Sequence, residues 1–343
     1  MPANSNYKNI PVVLIYNINP EWTKKEKEEV VKLSEELKDA LAEESHPVEL
    51  LALEDDNIEL LLTPFNPLEC IVFNWCESMP GADHSEWLVA KKLEEMGFTF
   101  TGAASKALAL AQDKYRVKKI LDETTVPSPA WEIVHSPRVN NWGKYPAIVK
   151  PVNEHCSEGI SSDSVALNHE ELKIIIREIV ERYRQTVLVE DFIDGREFHV
   201  TLWGNEEIEM LPVAEMDFSF FPCVKDRLCT YESKFVAGTK HYEKIKTLLP
   251  APLSEDEKVS LEKVCKDAYL ATGCRDYARF DVRLRDGIFY VLDVNPNADI
   301  SADASMACAA QIAGLSYGQM ASRIVRLAAK RHPVWAAKVK DNT

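Results

Sequence analysis

Eight cysteines are scattered over 343 residues, and no two stand in a C-x-x-C pair. That spacing argues against a disulfide-stapled or dithiol protein and reads as reduced thiols in a cytoplasmic one. Basic residues are in short supply: 40 Lys and Arg against 55 Asp and Glu leave a net charge of −15. Nucleic acid and anionic membrane surfaces are therefore poor partners, and an anionic substrate needs a local basic pocket. No apolar run is long enough to span a bilayer. The opening stretch, Met1 to Lys8, lacks the apolar core of a signal peptide, so no export is expected. There is no internal repeat and no low-complexity tract, and no G-K-[ST] phosphate loop. What is present is 46% apolar residues, enough for real cores, in a length that suits two or three domains.

Strands alternate with helices over residues 1–103. Ile10 to Tyr16, His46 to Leu53 and Cys70 to Asn74 read as strands. Glu21 to Glu43, with Val30, Leu33, Leu37 and Leu41 on one stripe, and Ser85 to Met96 read as helices. The pattern predicts a parallel α/β domain whose ligands lie beyond the strand C-terminal ends. Residues 104–187 predict a small α+β domain: a helix from Ala104 to Asp122, a strand from Pro146 to Lys150, a helix from Glu170 and a strand to Phe192. Residues 188–335 predict a third domain. Its Ser254 to Thr272 helix opens on a capping box, Ser254 with Glu257, and a C-terminal helix pair runs from Ser305 to Arg331.

The stretch from Arg275 to Ser305 carries the chemistry. Gly287 marks a turn, and apolar residues alternate on both sides of it. A three-residue loop, Asp286 to Ile288, sets Phe280 opposite Val294, Val282 opposite Leu292 and Leu284 opposite Tyr290. The other face then carries Arg279, Asp281 and Arg283 opposite Asn295, Asp293 and Val291. Two carboxylates and an amide oxygen so close repel unless a cation sits among them. All three are hard oxygen ligands, suited to Mg²⁺ or Mn²⁺ with phosphate oxygens completing the shell. The competing reading is a solvated hairpin face with charges paired across strands.

Other residues gain weight from their order. Lys150 ends a buried strand, where a lysine reaches a phosphate as a point charge. Asn153 to Ser161 is a polar loop whose Ser157, Gly159 and Ser161 suit a phosphate cradle. Glu190 to Glu197 runs strand, bend, strand. A flat base fits such a bend, with Asp191 and Ile193 backbone at its edge, Glu190 accepting from an exocyclic amine and Glu197 from ribose hydroxyls. Lys114 and Lys234 are two further cations. Taken singly, each of these is equally a solvated lysine, an ordinary loop or a linker.

Together they resemble the ATP-grasp superfamily, and most closely the D-alanine–D-alanine ligase family, over roughly residues 70 to 330. The resemblance rests on Phe-Thr-Phe-Thr-Gly-Ala-Ala-Ser, Asp-Lys-Tyr-Arg-Val-Lys-Lys, Val-Pro-Ser-Pro and above all Arg-Phe-Asp with Leu-Asp-Val-Asn-Pro. It implies an ATP-grasp fold behind a parallel α/β domain, with ATP between the central and C-terminal parts. Lys114, Lys150 and Lys234 are then phosphate contacts, Glu190, Asp191, Ile193 and Glu197 hold adenine and ribose, and Asp281, Asp293 and Asn295 bind two Mg²⁺ ions. Ser157 lies in a loop that closes over the γ-phosphate, and Arg279 steadies an acyl-phosphate and the oxyanion that follows. The implied partners are small amino-acid or peptide substrates and a second copy of the chain.

The match departs at the substrate end. The family's first loop, with its orienting Glu, is here Tyr-Asn-Ile-Asn-Pro-Glu21. Phe235 follows Lys234 where Tyr is common. The metal strand ends Asn295-Pro-Asn-Ala-Asp299-Ile-Ser301, with Asp293 in place of the commoner Glu. Asp299 falls where a second substrate's carboxylate is recognised, and an acid there suits an ammonium instead. The expected activity is therefore ATP-dependent carboxylate–amine ligation, with a different amino acid or peptide as the alternative to D-alanine. A regulatory ATP-binding protein and a phosphotransferase are the two other readings.

Overall fold

Three sheets organise residues 9–135, 142–152, 160–230, 233, 236 and 238–340, which this computed structural model describes. The first is parallel, in the order β2-β1-β3, from β1 (Val12–Asn17), β2 (Val48–Leu53) and β3 (Ile71–Asn74). β1 and β3 are apolar nearly throughout and buried along their whole length, as a parallel sheet covered on both faces requires.

The helix after β1 spans Lys24–Glu43 and does not begin at Glu21. Thr23 and Glu26 cap each other's backbone there, the same box that opens Glu255–Ala271 at Ser254. Glu21 is left in an exposed turn. The buried stripe is Ser34, Leu37 and Leu41, while Val30 and Leu33 are only half-buried. That stripe faces the C-terminal helix Tyr317–Ala329. Gly318 comes so near it that a β-carbon there would lie 2.5 Å from the Ala40 carbonyl oxygen. The two helices share one core with Leu14, Phe73 and Met306, so the end of the chain completes the first sheet.

The second sheet is antiparallel, in the order β4-β7-β5-β6, from β4 (Trp131–Val134), β5 (Ala147–Pro151), β6 (Val165–Ala166) and β7 (Val187–Asp191). The helix His169–Tyr183 covers it with Leu172, Ile175, Ile176 and Ile179. The third contains β8 (Arg196–Gly204), β9 (Ile208–Met210), β10 (Ala214–Asp217), β11 (Lys246–Leu248), β12 (Asp276–Arg285) and β13 (Ile288–Asn295). Its order is β11-β10-β8-β12-β13, with β9 beside β8. Phe198, Phe280, Val282 and Val291 pack there against Leu261 and Tyr269 of the helix Glu255–Ala271.

Residues 104–122 form two helices, Ser105–Ala111 and Lys114–Glu123, rather than one. Asp113 breaks the run by capping the second helix, its carboxylate accepting from the Arg116 N–H at 3.0 Å. Lys114 therefore opens a helix, and Lys118 follows one turn later on the same buried face.

The β12–β13 hairpin differs from the expected register in its outer half. Asp286 and Gly287, at φ 52° and 77°, close a two-residue turn, so Arg285 faces Ile288, Leu284 faces Phe289 and Arg283 faces Tyr290. Asp-Gly supports two left-handed residues in succession, which is why the loop is shorter than three. Unbroken, that register would set Asp281 against Leu292. A bulge between Asp281 and Val282 restores the expected inner pairs: Asp281 with Asp293, Phe280 with Val294 and Arg279 with Asn295. Val282 pairs with Val291, and Leu292 is the extra residue.

Asp276 ties the first sheet to the third. Wholly buried, it accepts from the Gly102 N–H (2.8 Å), from Asn205 (3.1 Å) and from both ends of the Arg331 guanidinium (2.6 Å each). Arg275 adds a bond to the Gly102 carbonyl at 2.7 Å. No helix among the described residues is long and apolar enough to cross a membrane.

Candidate active site

The second and third sheets enclose a pocket. Pro129, Ile148, Phe192, Ile193 and Leu292 supply apolar walls, and Lys150, Glu190, Asp191, Glu197, Asp281, Arg283 and Asp293 supply polar ones. Seven of the expected site residues meet here: Lys150, Glu190, Asp191, Ile193, Glu197, Asp281 and Asp293. Leu292 reaches the pocket because the bulge turns it out of the apolar face, a re-aiming that bulges beside functional sites provide. No periodicity in the sequence announces it.

Glu190 stands between two lysines. Its oxygens lie 2.6 Å from Lys118 Nζ and 2.6 Å from Lys150 Nζ, and its side chain is 1% exposed. Burial pushes the carboxyl up, but the two lysine charges outweigh it and hold the group at about 2. Burial keeps Lys118 below the ordinary lysine value, whereas on Lys150 the attraction of Glu190 overcomes burial and raises it. Both carboxylate oxygens are engaged by ammonium groups, rather than open to the exocyclic amine expected of Glu190. Lys118 is not among the residues that the sequence marks. Its place four residues after Lys114 on a helix was the signal available.

Arg283, 2% exposed, knits the opposite wall. It bonds Glu197 Oε2 through Nε at 2.7 Å and the Ile193 carbonyl at 2.8 Å, donates also to the Arg227 carbonyl, and lies over the Phe192 ring at 4.6 Å. Glu197 keeps Oε1 for a ligand. The Asp191 carboxylate pairs with Arg285, and its N–H donates to the Ala130 carbonyl at 2.9 Å, which confines any base contact of Asp191 to its own carbonyl.

The polar face of the hairpin continues past the pocket. Asp281 and Asp293 are paired in register, and so are Arg279 and Asn295. Arg279 grips Asp281 with Nε at 2.8 Å and Nη2 at 3.2 Å, and Asp281 raises its pKa against the opposing effect of burial. The charge pairing thus runs along one strand, while the two acids face each other across the hairpin. Asn295 donates its Nδ2 to the Arg279 carbonyl at 3.3 Å, leaving Oδ1 as an oxygen donor. Two carboxylates and one amide oxygen, with a guanidinium alongside, fit a hard divalent cation.

A second group of acids lines the strand ends of the first sheet. Asn17 accepts from the Glu77 N–H at 2.9 Å and donates to Ser78 at 3.2 Å, joining two loops. Glu77 reaches solvent, but crowding by the surrounding protein, with the charge of Asp299, raises it. Burial carries Glu86 up to about 8, against a 2.6 Å bond from Asn297 Nδ2. Asp299 Oδ1 accepts from the Ser301 N–H (2.8 Å) and hydroxyl (2.6 Å), so the Ser301 hydroxyl is spent inside its own loop. Glu21 is exposed, its N–H bonded to Asn19 at 3.1 Å, and Lys114 is buried but does not line the pocket. Ser157, Gly159, Lys234 and Phe235 lie outside the described residues.

Two antiparallel sheets closed on a pocket lined by Lys150, Glu190 and the facing acids Asp281 and Asp293 give the arrangement of an ATP-grasp enzyme. A family model for the D-ala D-ala ligase C-terminus matches residues 119–326. The D-alanine–D-alanine ligase of Marinomonas sp. (strain MWYL1) is 31% identical over 272 residues, 77% of this chain and 80% of the relative. An uncharacterised Sinorhizobium fredii protein, y4sG, is 32% identical over 76% of this chain and 75% of its own. The ATP-complexed D-alanine–D-alanine ligase of Bacillus anthracis superposes with a TM-score of 0.72 at 17% identity, covering 97% of this chain and 99% of that one, and shares its fold. The chain belongs to the D-alanine–D-alanine ligase family and is an ATP-dependent ligase forming carbon–nitrogen bonds.

Proposed function

We propose that the chain joins a substrate carboxylate to an amine through an acyl-phosphate, with Asp281, Asp293 and Asn295 holding Mg²⁺. The observation that carries this is the hairpin face. It sets two acids opposite each other within the pocket that Lys150 and Glu190 line, with Arg279 on the same face. Mg²⁺ there would neutralise charge on the transferring phosphate and its leaving group. Lys150, with Lys118 behind it, holds phosphate oxygens. Leu292 and Phe192 bracket the base, and Glu197 Oε1 accepts from ribose. The carboxylate oxygen bonds to the γ-phosphorus and ADP leaves. The amine then attacks the carbonyl carbon, and phosphate departs with the former carboxylate oxygen. Arg279 presents its Nη1 side to the oxyanion while Asp281 fixes the other edge of the guanidinium. Ser157 and Lys234 are assigned to γ-phosphate closure on family grounds. We further propose a three-part division at 1–103, 104–187 and 188–335, a cytoplasmic location in keeping with the absence of disulfides among the described cysteines, and a homodimer.

The acceptor end favours a substrate other than a second D-alanine. Asp299 falls where the family recognises a carboxylate, Glu77 lies within its electrostatic reach, and neither has an ion-pair partner among the described residues. An acceptor with a second ammonium, or without a carboxylate, avoids that repulsion.

ADP release with Mg²⁺-ATP, measured against D- and L-amino acids and amines singly and in pairs, tests the reading. Release that needs both a carboxylate and an amine is expected. Release without the amine makes the chain a phosphotransferase. Silence across the matrix with ATP bound makes it a regulatory binder.

Arg279→Ala lowers kcat about 10²–10³-fold, the usual effect of removing one oxyanion donor, and leaves ATP affinity within about twofold. An equal collapse of ATP affinity reassigns Arg279 to nucleotide binding.

A further inference from the structure

The neighbouring strand carries a second set of metal donors. Glu197 and His199, two apart on β8, point to one face of the sheet and pair in register with Arg283 and Asp281 of β12. Cys229 reaches the same place from the stretch after β10. One donor atom from each of Glu197, His199 and Cys229 lies within 4.8 Å of the others. Tetrahedral zinc sets its ligands roughly 3.3–3.8 Å apart, so about an ångström of closure completes the set.

The imidazole is already turned for this. The Ser305 hydroxyl lies 3.5 Å from Nδ1, and Nε2 lies 3.9 Å from Asp281 Oδ1, so Nε2 is the nitrogen that faces the carboxylates. A ligating histidine is usually oriented by an acceptor on its far ring nitrogen, and the Ser305 hydroxyl oxygen is placed to serve as one. Glu197 binds Arg283 through Oε2 and retains Oε1.

We propose that Glu197, His199 and Cys229 form a site for a thiophilic divalent cation such as Zn²⁺, distinct from the hard-oxygen site of Asp281, Asp293 and Asn295. Thiolate and imidazole select Zn²⁺ or Co²⁺ over Mg²⁺, whereas the hairpin oxygens do the reverse. Binding transfers the Cys229 thiol proton to solvent and forms a metal–sulfur bond, with water in the fourth position. Arg279 is within electrostatic reach of Cys229. Its charge opposes the cation, and Glu197, the thiolate and Asp281 offset it. The site shares Glu197 with the nucleotide pocket, and Cys229 lines that pocket, so a bound Zn²⁺ excludes the ribose.

The test uses the full chain without nucleotide, so it stands apart from turnover and from the ligase reading. Co²⁺ serves as a spectroscopic probe, and Zn²⁺ is then added to displace it. One equivalent of Co²⁺ with a thiolate charge-transfer band is expected. Cys229→Ser abolishes the band, His199→Gln weakens Co²⁺ and Zn²⁺ binding about 10–100-fold, and Cys223→Ser, an exposed thiol elsewhere, changes neither. Unfolding profiles matching the parent show that the variants fold. Absence of the band in the parent chain overturns the proposal. So does a band that survives Cys229→Ser, or His199→Gln binding as tightly as the parent.

Discussion

Asp293→Asn lowers turnover about 10²–10³-fold and raises the Mg²⁺ concentration needed for half-activity, while the fold holds. Asp293 faces Asp281 across the hairpin, and its Oδ1 lies 3.1 Å from its neighbour's N–H, on Val294. The substitution keeps size and removes one charge from a face built around two. Asp281 cannot compensate, because Arg279 already holds both its oxygens. A cation would then meet about half the negative charge, and the γ-phosphate would lose most of its neutralisation. Initial rates across a Mg²⁺ titration, with thermal unfolding as a control, read the effect. Unchanged rates and unchanged metal dependence would remove Asp293 from the site.

Glu190→Gln acts on the fold first and on the nucleotide through it. The substitution leaves Lys118 and Lys150 facing each other in the interior without their shared counter-ion. Breaking a buried pair in this way costs about 3–5 kcal/mol. The depressed carboxyl agrees: about 2 in the folded chain against an ordinary 4.5 is worth about 3 kcal/mol. The sign follows from that depression. A carboxyl held below its unfolded value stabilises fully above about pH 4.5, and loses that contribution as pH falls toward 2. The stability gap between the parent and Glu190→Gln is therefore constant from pH 7 to about 5 and shrinks by roughly half at pH 3. Urea denaturation at several pH values measures it. A gap that ignores pH would show that the two lysines do not depend on the Glu190 charge.

Residues with a local signal were the ones legible in advance. Alternation along β12 and β13 placed Arg279, Asp281, Asp293 and Asn295 on one face, and the capping box placed Ser254. The same box at Thr23 and Glu26 marks the true start of the first helix. The Asp286-Gly287 turn was equally readable. The bulge at Leu292 was not, because it arises from two register constraints that only a folded hairpin must satisfy together. Lys118 lay in view in a helical repeat, but its pairing with Glu190 joins residues 72 positions apart, which no local pattern encodes. Arg283 was placed on the polar face without a role, since its partners, Ile193 and Glu197, come from the neighbouring strand and bend. The same limit applies to Glu77 and Asp299, brought together from different sheets.

An acyl-phosphate leaves its mark in the oxygen it hands to phosphate. The carboxylate substrate that supports ADP release is labelled with ¹⁸O in both carboxyl oxygens, and the released phosphate is analysed by mass. One ¹⁸O in each phosphate is expected for every amide formed. Amide formation with unlabelled phosphate would contradict it.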